Sequence, residues 1–399
     1  MLIKRRSFIQ IGSLATGTLL VPRFLKAFEK PAMVPAGNKV VVVIQFSGGN
    51  DGLNTVIPYR NDEYYSKRPA IGIKREAAVS INDETGLHPA LTHFRELHDD
   101  GSLGILNSVG YPNPDRSHFR SMDIWQSASD SRTIVNTGWL GRYLDAQCNG
   151  CDRPTQALEV DDVLSLALKG VNSKGLAFRR PASLYGSSQE KFFRDLAKEH
   201  AAQHGEDPVD YLYKTMADTI SSADYIFSQS KLHPSRQQYP STQLGQSLKT
   251  IASLIFSDIN TRVYYVSLGS FDTHVLQVAQ QKRLFTELND ALKAFTSDLK
   301  QNNRFDDVLC FTFSEFGRRV SQNASGGTDH GTANNMFFIS EALKQKGLLN
   351  ALPDLTDLQD GDLKHKVDFK SVYATILDKW LGADDAKILG GKFDQLNFI

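Results

Sequence analysis

Residues 39–46, Lys-Val-Val-Val-Val-Ile-Gln-Phe, are β-branched and almost continuously apolar. A run of this kind lacks the alternation of a sheet with one wet face, so it belongs to a sheet covered on both sides. It ends in Ser47-Gly-Gly-Asn-Asp51-Gly, a glycine-rich turn carrying an acid. Residues 103–109, 262–268 and 308–313 read as further buried strands, followed by an apolar segment at 336–339. Helical patterns occupy 91–99, the stretch from His118 to Trp125, 275–300 and 369–381. Strand and helix alternate, which predicts an α/β fold with a mainly parallel central sheet and helices on both faces. Short apolar runs at 156–184 read as strands and hairpins. Residues 188–256 read as helices broken near His233-Pro234 and Tyr239-Pro240, forming a flank or a cap.

The chain has 399 residues, 41% hydrophobic and 23% charged, with 45 basic residues against 45 acidic ones. That balance supplies an ample core and argues against disorder. It provides no net basic field to recommend nucleic acid as a partner. Lys4-Arg5-Arg6-Ser7-Phe8-Ile9 precedes a moderately apolar stretch at 9–21, rich in Gly, Ser and Thr and too short to span a bilayer convincingly. Paired arginines before Ser-Phe-Ile resemble a twin-arginine export signal; a basic patch before an ordinary secretory signal is the alternative. The expectation is a signal and linker over 1–36 and a single domain over 37–399, with 150–260 a candidate hairpin and helical cap. The translocase would be a partner during export, and the mature chain periplasmic or secreted without a stable transmembrane span. Cys148-Asn-Gly-Cys151 has redox-pair spacing but lies in a polar loop, where a local disulfide in an oxidising compartment is the better reading. Cys310, inside an apolar run, reads as a core residue.

The chemistry gathers where strands end. Asp51, Asp272 with His274, and Glu315 each follow a buried strand, and Asp329-His330 lies between glycines in a later loop. In open α/β sheets the loops at the strands' carboxyl ends line one crevice, so residues far apart in sequence meet there. Any one of these acids alone reads more readily as a turn or cap residue. Together, carboxylates and imidazoles are what divalent ions need, and two ions about 3.5–4 Å apart can clamp the oxygens of an ester displacement. Ser117 stands at a predicted helix N-terminus, where amides and dipole favour an anion, and reads either as a nucleophile or as a plain cap. Arg116, Arg120 and Arg318 are candidates to grip non-bridging oxygens.

Phe46-Ser-Gly-Gly-Asn-Asp51-Gly-Leu-Asn-Thr55, Leu87-His88-Pro89, Arg116-Ser117-His118-Phe119, Gly269-Ser-Phe-Asp272-Thr-His274, Phe313-Ser-Glu315-Phe-Gly-Arg318 and Gly327-Thr-Asp329-His330-Gly331 resemble the bacterial family of exported proteins called domain of unknown function 1501. The resemblance runs from about residue 39 to 390. That family is similar to the alkaline phosphatase and sulfatase superfamily, which implies an alkaline-phosphatase-like three-layer fold and a two-metal ester hydrolase. Carried over on these motifs, Asp51 matches the superfamily's first-strand metal carboxylate and Ser117 falls near the nucleophile position. Asp272 and His274 resemble the Asp/His pair of one metal, although the superfamily spaces that pair more widely. Glu315 sits where an Asp-His pair is usual, with Phe316 in place of the histidine. His330 would be the late histidine; alternatively Asp329-His330 is itself the Asp-His pair and His365 a weak candidate for the late one. His118 and His88 would act behind the ligands, or His118 as proton donor to the leaving group. No cysteine stands at the nucleophile position, against a formylglycine sulfatase.

The expected function is therefore an exported hydrolase of phosphate or related esters, acting on an anionic substrate with divalent ions (Zn, Mg, Mn or Ca). Its metal residues would be Asp51, Asp272, His274, Glu315, Asp329 and His330, and its catalytic residues Ser117, His118, Arg116 and Arg318. The rival is a non-catalytic binding or surface-assembly protein on a degenerate version of the same fold. A redox protein using Cys148 and Cys151 is the remaining alternative.

Overall fold

A computed structural model describes residues 39–147, 154–191, 195 and 208–399. The N-terminal signal expectation and the Cys148–Cys151 pair lie outside the described residues. The strands of the central sheet are β1 (Val40–Phe46), β2 (Leu103–Gly110), β3 (Ala157–Glu159), β4 (Leu176–Ala177) and β5 (Val263–Leu268). They continue with β6 (Val308–Ser314), β7 (Asn334–Ile339), β8 (Gly347–Leu348) and β9 (Val367–Asp368). The nine strands run in the order β8-β2-β7-β6-β1-β5-β3-β4, with β9 also beside β2. β1 is central, parallel to β5 on one side and to β6 on the other.

The packing helices are α1 (Thr92–Asp99), α2 (His118–Ser127), α3 (Trp139–Gln147), α4 (Pro208–Leu232), α5 (Gln243–Phe256), α6 (Gln277–Gln301) and α7 (Phe369–Thr375). Because side chains alternate along a strand, β1 feeds two cores. Val40, Val42, Ile44 and Phe46 join one cluster with Phe94 of α1, Leu248 of α5 and Leu288 of α6. Val41 and Val43 join another with Trp125 of α2, Trp139 of α3 and Tyr373 of α7. All of β1 is buried, which is why its sequence shows no polar alternation. The result is the expected three-layer α/β arrangement around a mostly parallel sheet.

Three details differ from the sequence reading. β7 runs antiparallel to both β2 and β6. Residues 315–333, which connect it to β6, contain no crossover helix, so the chain simply turns back. The segment at 156–184 contributes parallel edge strands to the central sheet, and its one hairpin-like turn is closed by a single antiparallel bridge between Lys169 and Lys174. The closing helix leaves α-geometry at Thr375 and continues as a π-turn over Ile376–Trp380. Helices α4 and α5 bury Ile226 and Leu248 in the same cluster as β1, so this part of the chain packs on the sheet. Cys310 is a free, buried thiol, as its apolar run implied.

Candidate metal centre

Loops following β1, β5 and β6 approach one another closely at the sheet's carboxyl edge. Gly48 has φ +118°, and a Cβ there would stand 2.4 Å from the backbone nitrogen of Asp272. A Cβ on Gly327 would come within 2.3 Å of the Thr273 carbonyl oxygen. Only glycine permits either approach, and these contacts bring the Asp272-His274 loop against both the 48–51 turn and the Asp329-His330 loop.

Arg318 ties these loops together. Its side chain is fully buried and donates to the carbonyls of Gly48, Gly49, Phe271 and Thr328, as well as to Asp272 Oδ1 at 2.7 Å. The sequence suggested that Arg318 grips substrate oxygens. With its donors committed to backbone and Asp272, it is instead a staple that builds the site.

Around Asp272 three imidazoles converge. His274 Nε2 lies 3.1 Å and His330 Nε2 3.2 Å from Asp272 Oδ1, while His118 Nε2 lies 3.4 Å from Oδ2. In each ring the other nitrogen is fixed by a separate partner. His118 Nδ1 faces Glu315 Oε1 at 3.0 Å, His274 Nδ1 faces Asp329 Oδ1 at 3.0 Å, and His330 Nδ1 donates to the Arg116 carbonyl at 2.8 Å. The Phe316 ring packs against the rings of His118 and His330, with centroids 5.0 and 4.6 Å apart. Ring orientation and tautomer are therefore set from behind, as around metal-binding histidines.

Electrostatics reinforce the arrangement. Burial opposes ionisation of Asp272, but the hydrogen bond and charge of Arg318, followed by His330, overcome it and hold this carboxyl at about 2. His330 is pushed below the usual imidazole range, chiefly by burial, against the pull of the Arg116 carbonyl and Asp272. The Glu315 hydrogen bond raises His118, against burial. His274 holds Asp329 below the usual carboxyl range by its hydrogen bond.

The decisive contact is His274 Nε2 to His330 Nε2, 3.0 Å apart. A carbonyl accepts from His330 Nδ1 and an ionised carboxylate accepts from His274 Nδ1, so in the neutral rings both Nε2 atoms carry lone pairs. Two lone pairs at that distance repel unless a proton or a cation lies between them. Three imidazoles and a carboxylate form a donor set suited to a zinc-like ion, and less suited to Mg²⁺ or Ca²⁺, which prefer oxygen ligands. His118, Asp272 and His330 offer ligand atoms within 4.8 Å of one another. These three fit a single divalent ion, with His274 Nε2 beside them at 3.0 Å from His330 Nε2 and 3.1 Å from Asp272 Oδ1.

The other expected ligands have different partners. Asp51 is buried, paired with Arg68 Nη1 at 2.5 Å, and also accepts from Gln277 and the Leu53 amide. Gln277 in turn accepts from Thr273 and Thr328, so Asp51 supports the ligand loops from behind. Glu315 accepts from the Gly48 amide and holds His118; Asp329 holds His274. Neither Asp51 nor Glu315 faces the imidazole Nε2 atoms, so a second ion on these two residues does not follow from the geometry. Arg116 offers its carbonyl to His330 and its guanidinium to Asp362. His88 is buried against Phe285, where burial lowers it to about 4, and it accepts from the Ala90 amide. Ser117 is exposed at the N-cap of α2, and its hydroxyl makes no capping bond. Arg68 and Gln277 were not singled out from sequence. Arg68 lies in a polar stretch before Pro69, and Gln277 opens an ordinary amphipathic helix, so neither carries a pattern that marks it.

If Asp51 is a support and not a ligand, Asp51→Ala leaves the buried Arg68 charge without its counter-charge, though still bonded to Asn54 and to the Val320 and Arg319 carbonyls. Unfolding free energy is then expected to drop by about 3–5 kcal/mol, with the divalent ion retained by the folded fraction. Denaturant titration with metal analysis checks this, and loss of the ion at unchanged stability would restore Asp51 as a ligand.

A cavity of about 520 Å³ adjoins the cluster, lined by Arg116 and Phe316 together with Tyr111, Lys364 and His365.

A mostly parallel α/β sheet with a histidine–carboxylate cluster at its carboxyl edge defines the class: an α/β protein with a candidate metal centre. Residues 38–395 match the family described as protein of unknown function (DUF1501), and the chain belongs to that family. No curated protein sequence matches it. Among solved structures it is similar to the PsFucS1 sulfatase from Pseudoalteromonas sp., at 13% identity and a TM-score of 0.39, covering 90% of this chain and 71% of that one. It is similar to the phosphonate monoester hydrolase SpPMH from Silicibacter pomeroyi, at 10% identity and 0.36, covering 89% and 77%. It is likewise similar to the lipoteichoic acid synthase LtaP from Listeria monocytogenes, at 11% and 0.36, covering 94% and 81%. Likenesses this distant say nothing about the chemistry of this chain.

Proposed function

We propose that this chain is an exported hydrolase of phosphate or related esters that uses one divalent ion held by His118, Asp272, His274 and His330. The observation that carries the reading is the convergence of three Nδ1-anchored imidazoles on Asp272, with the Nε2 atoms of His274 and His330 facing at 3.0 Å. When bound, the ion supplies Lewis acidity, polarising a phosphoryl or sulfuryl oxygen. The chain's own residues do the rest. Glu315, Asp329 and the Arg116 carbonyl fix the imidazoles, and Arg318 fixes Asp272. Ser117 Oγ, exposed one residue from His118, is the nucleophile candidate, and the uncapped first turn of α2 turns amide hydrogens toward an incoming anion. The neighbouring cavity offers room for the leaving group.

Turnover of p-nitrophenyl phosphate and p-nitrophenyl sulfate, before and after chelation, tests this. Activity on at least one ester, lost with the chelator and restored by Zn²⁺, is expected. A folded, ion-loaded protein inert across such esters would favour the binding-protein reading. Export rests on Arg5-Arg6. Replacing both with lysine is expected to leave the chain in the cytoplasmic fraction, and normal export of that variant would refute a twin-arginine route.

A further inference from the structure

Among the described residues, eight large hydrophobic side chains are exposed, and Phe119, Ile134, Val275, Leu276 and Val278 are five of them. Four of the five lie within four residues of a cluster histidine. Phe119 follows His118 at the start of α2 and is 88% exposed. Val275, Leu276 and Val278 follow His274. Ile134 belongs to the loop whose carbonyls at Asp130, Ser131 and Thr133 accept from Arg120, which draws that loop back to the first turn of α2. Leu276 holds φ 50°, a left-handed conformation unusual for a branched apolar residue, and is 76% exposed there. Apolar side chains gathered on one rim, with a charged site between them, mark a contact surface.

Basic residues are interleaved with this rim. Arg132 lies two positions before Ile134, and Lys282 one helical turn after Val278, with Arg283 beside it; all three are exposed, and none is salt-bridged among the described residues. Apolar side chains with flanking cations are the combination that suits an anionic lipid surface, the former entering the acyl boundary and the latter meeting headgroups. No described helix is long and apolar enough to cross a membrane, so the contact made by these elements would be peripheral.

We infer that the carboxyl edge of the sheet docks on an anionic lipid surface through the rim of Phe119, Ile134, Val275, Leu276 and Val278. The histidine cluster then faces the headgroup layer, and its substrate is an ester carried there; this last step rests on the hydrolase reading, whereas the docking does not. Sedimentation of the full mature chain with vesicles of phosphatidylcholine and phosphatidylglycerol at 7:3 tests the docking. The wild type is expected to pellet with the vesicles. The pair Phe119→Ser and Leu276→Asn, the second tolerated in a left-handed conformation, is expected to reduce partitioning at least tenfold, with ion content and thermal unfolding unchanged. Wild-type protein remaining in the supernatant, or equal partitioning of the variant, overturns the inference. So does a concentration-dependent dimer abolished by the same substitutions without vesicle binding, which would assign the rim to a second copy. Vesicle binding by a wild type that holds no ion would leave the docking standing while the hydrolase reading fails.

Discussion

Protein carrying Asp272→Asn is expected to lose its divalent ion and its ester turnover together, turnover falling roughly a thousandfold or more. Asp272 is the carboxylate toward which all three imidazole Nε2 atoms point. Asparagine keeps the size and still accepts from Arg318, so the loops should remain in place while the anionic ligand is gone. His330→Ala should act similarly by removing one of the two facing nitrogens. Glu315→Gln, one step behind the ligands, should weaken ion affinity by about 10–100-fold without abolishing it. Metal analysis and turnover on the same preparations check the series. Full ion content in Asp272→Asn would show that the cluster is a hydrogen-bonded network and not a ligand set.

The second large effect belongs to Arg318. Its guanidinium meets four backbone carbonyls and Asp272, and its side chain is fully buried. Arg318→Met strips those carbonyls of their donor and leaves Asp272 without its cationic partner. Leaving buried polar groups unpaired costs about 1–3 kcal/mol each, whereas the lost ion pair adds less, because Asp272 is 47% exposed and screened by solvent. Because these terms overlap, the expected loss of unfolding free energy is about 4 kcal/mol or more. Lysine at this position offers a point charge without the planar fork, so Arg318→Lys should recover only part of it. Denaturant midpoints measure both. A variant as stable as wild type but catalytically dead would return Arg318 to the substrate-gripping role that its sequence neighbourhood first suggested.

The strands were legible in the sequence because a strand buried on both faces must be apolar at almost every position, and 39–46 and 308–313 show that. The direction of β7 was not, since a short apolar run says nothing about orientation and the loop before it contains no helix to force a crossover. Asp272, His274 and His330 stood out because acids and imidazoles follow strand ends or sit among glycines, and the structure brings these three together. What the pattern could not assign was the division of labour among the carboxylates. Asp51 and Asp272 look alike in sequence, each following a strand; one is buried with Arg68 and the other remains 47% exposed beside Arg318. That difference depends on arginines delivered from distant segments. Sequence likewise offered His118 as a residue behind the ligands or as a proton donor to the leaving group, because its part in the cluster depends on how α2 docks.

The most direct measurement is the ion content of the mature protein purified without added metal and then equilibrated with Zn²⁺. One tightly held equivalent per chain is predicted, lost in His274→Ala and kept in Asp51→Ala. Two equivalents, or an ion that departs with Asp51 and not with His274, would contradict the four-residue centre.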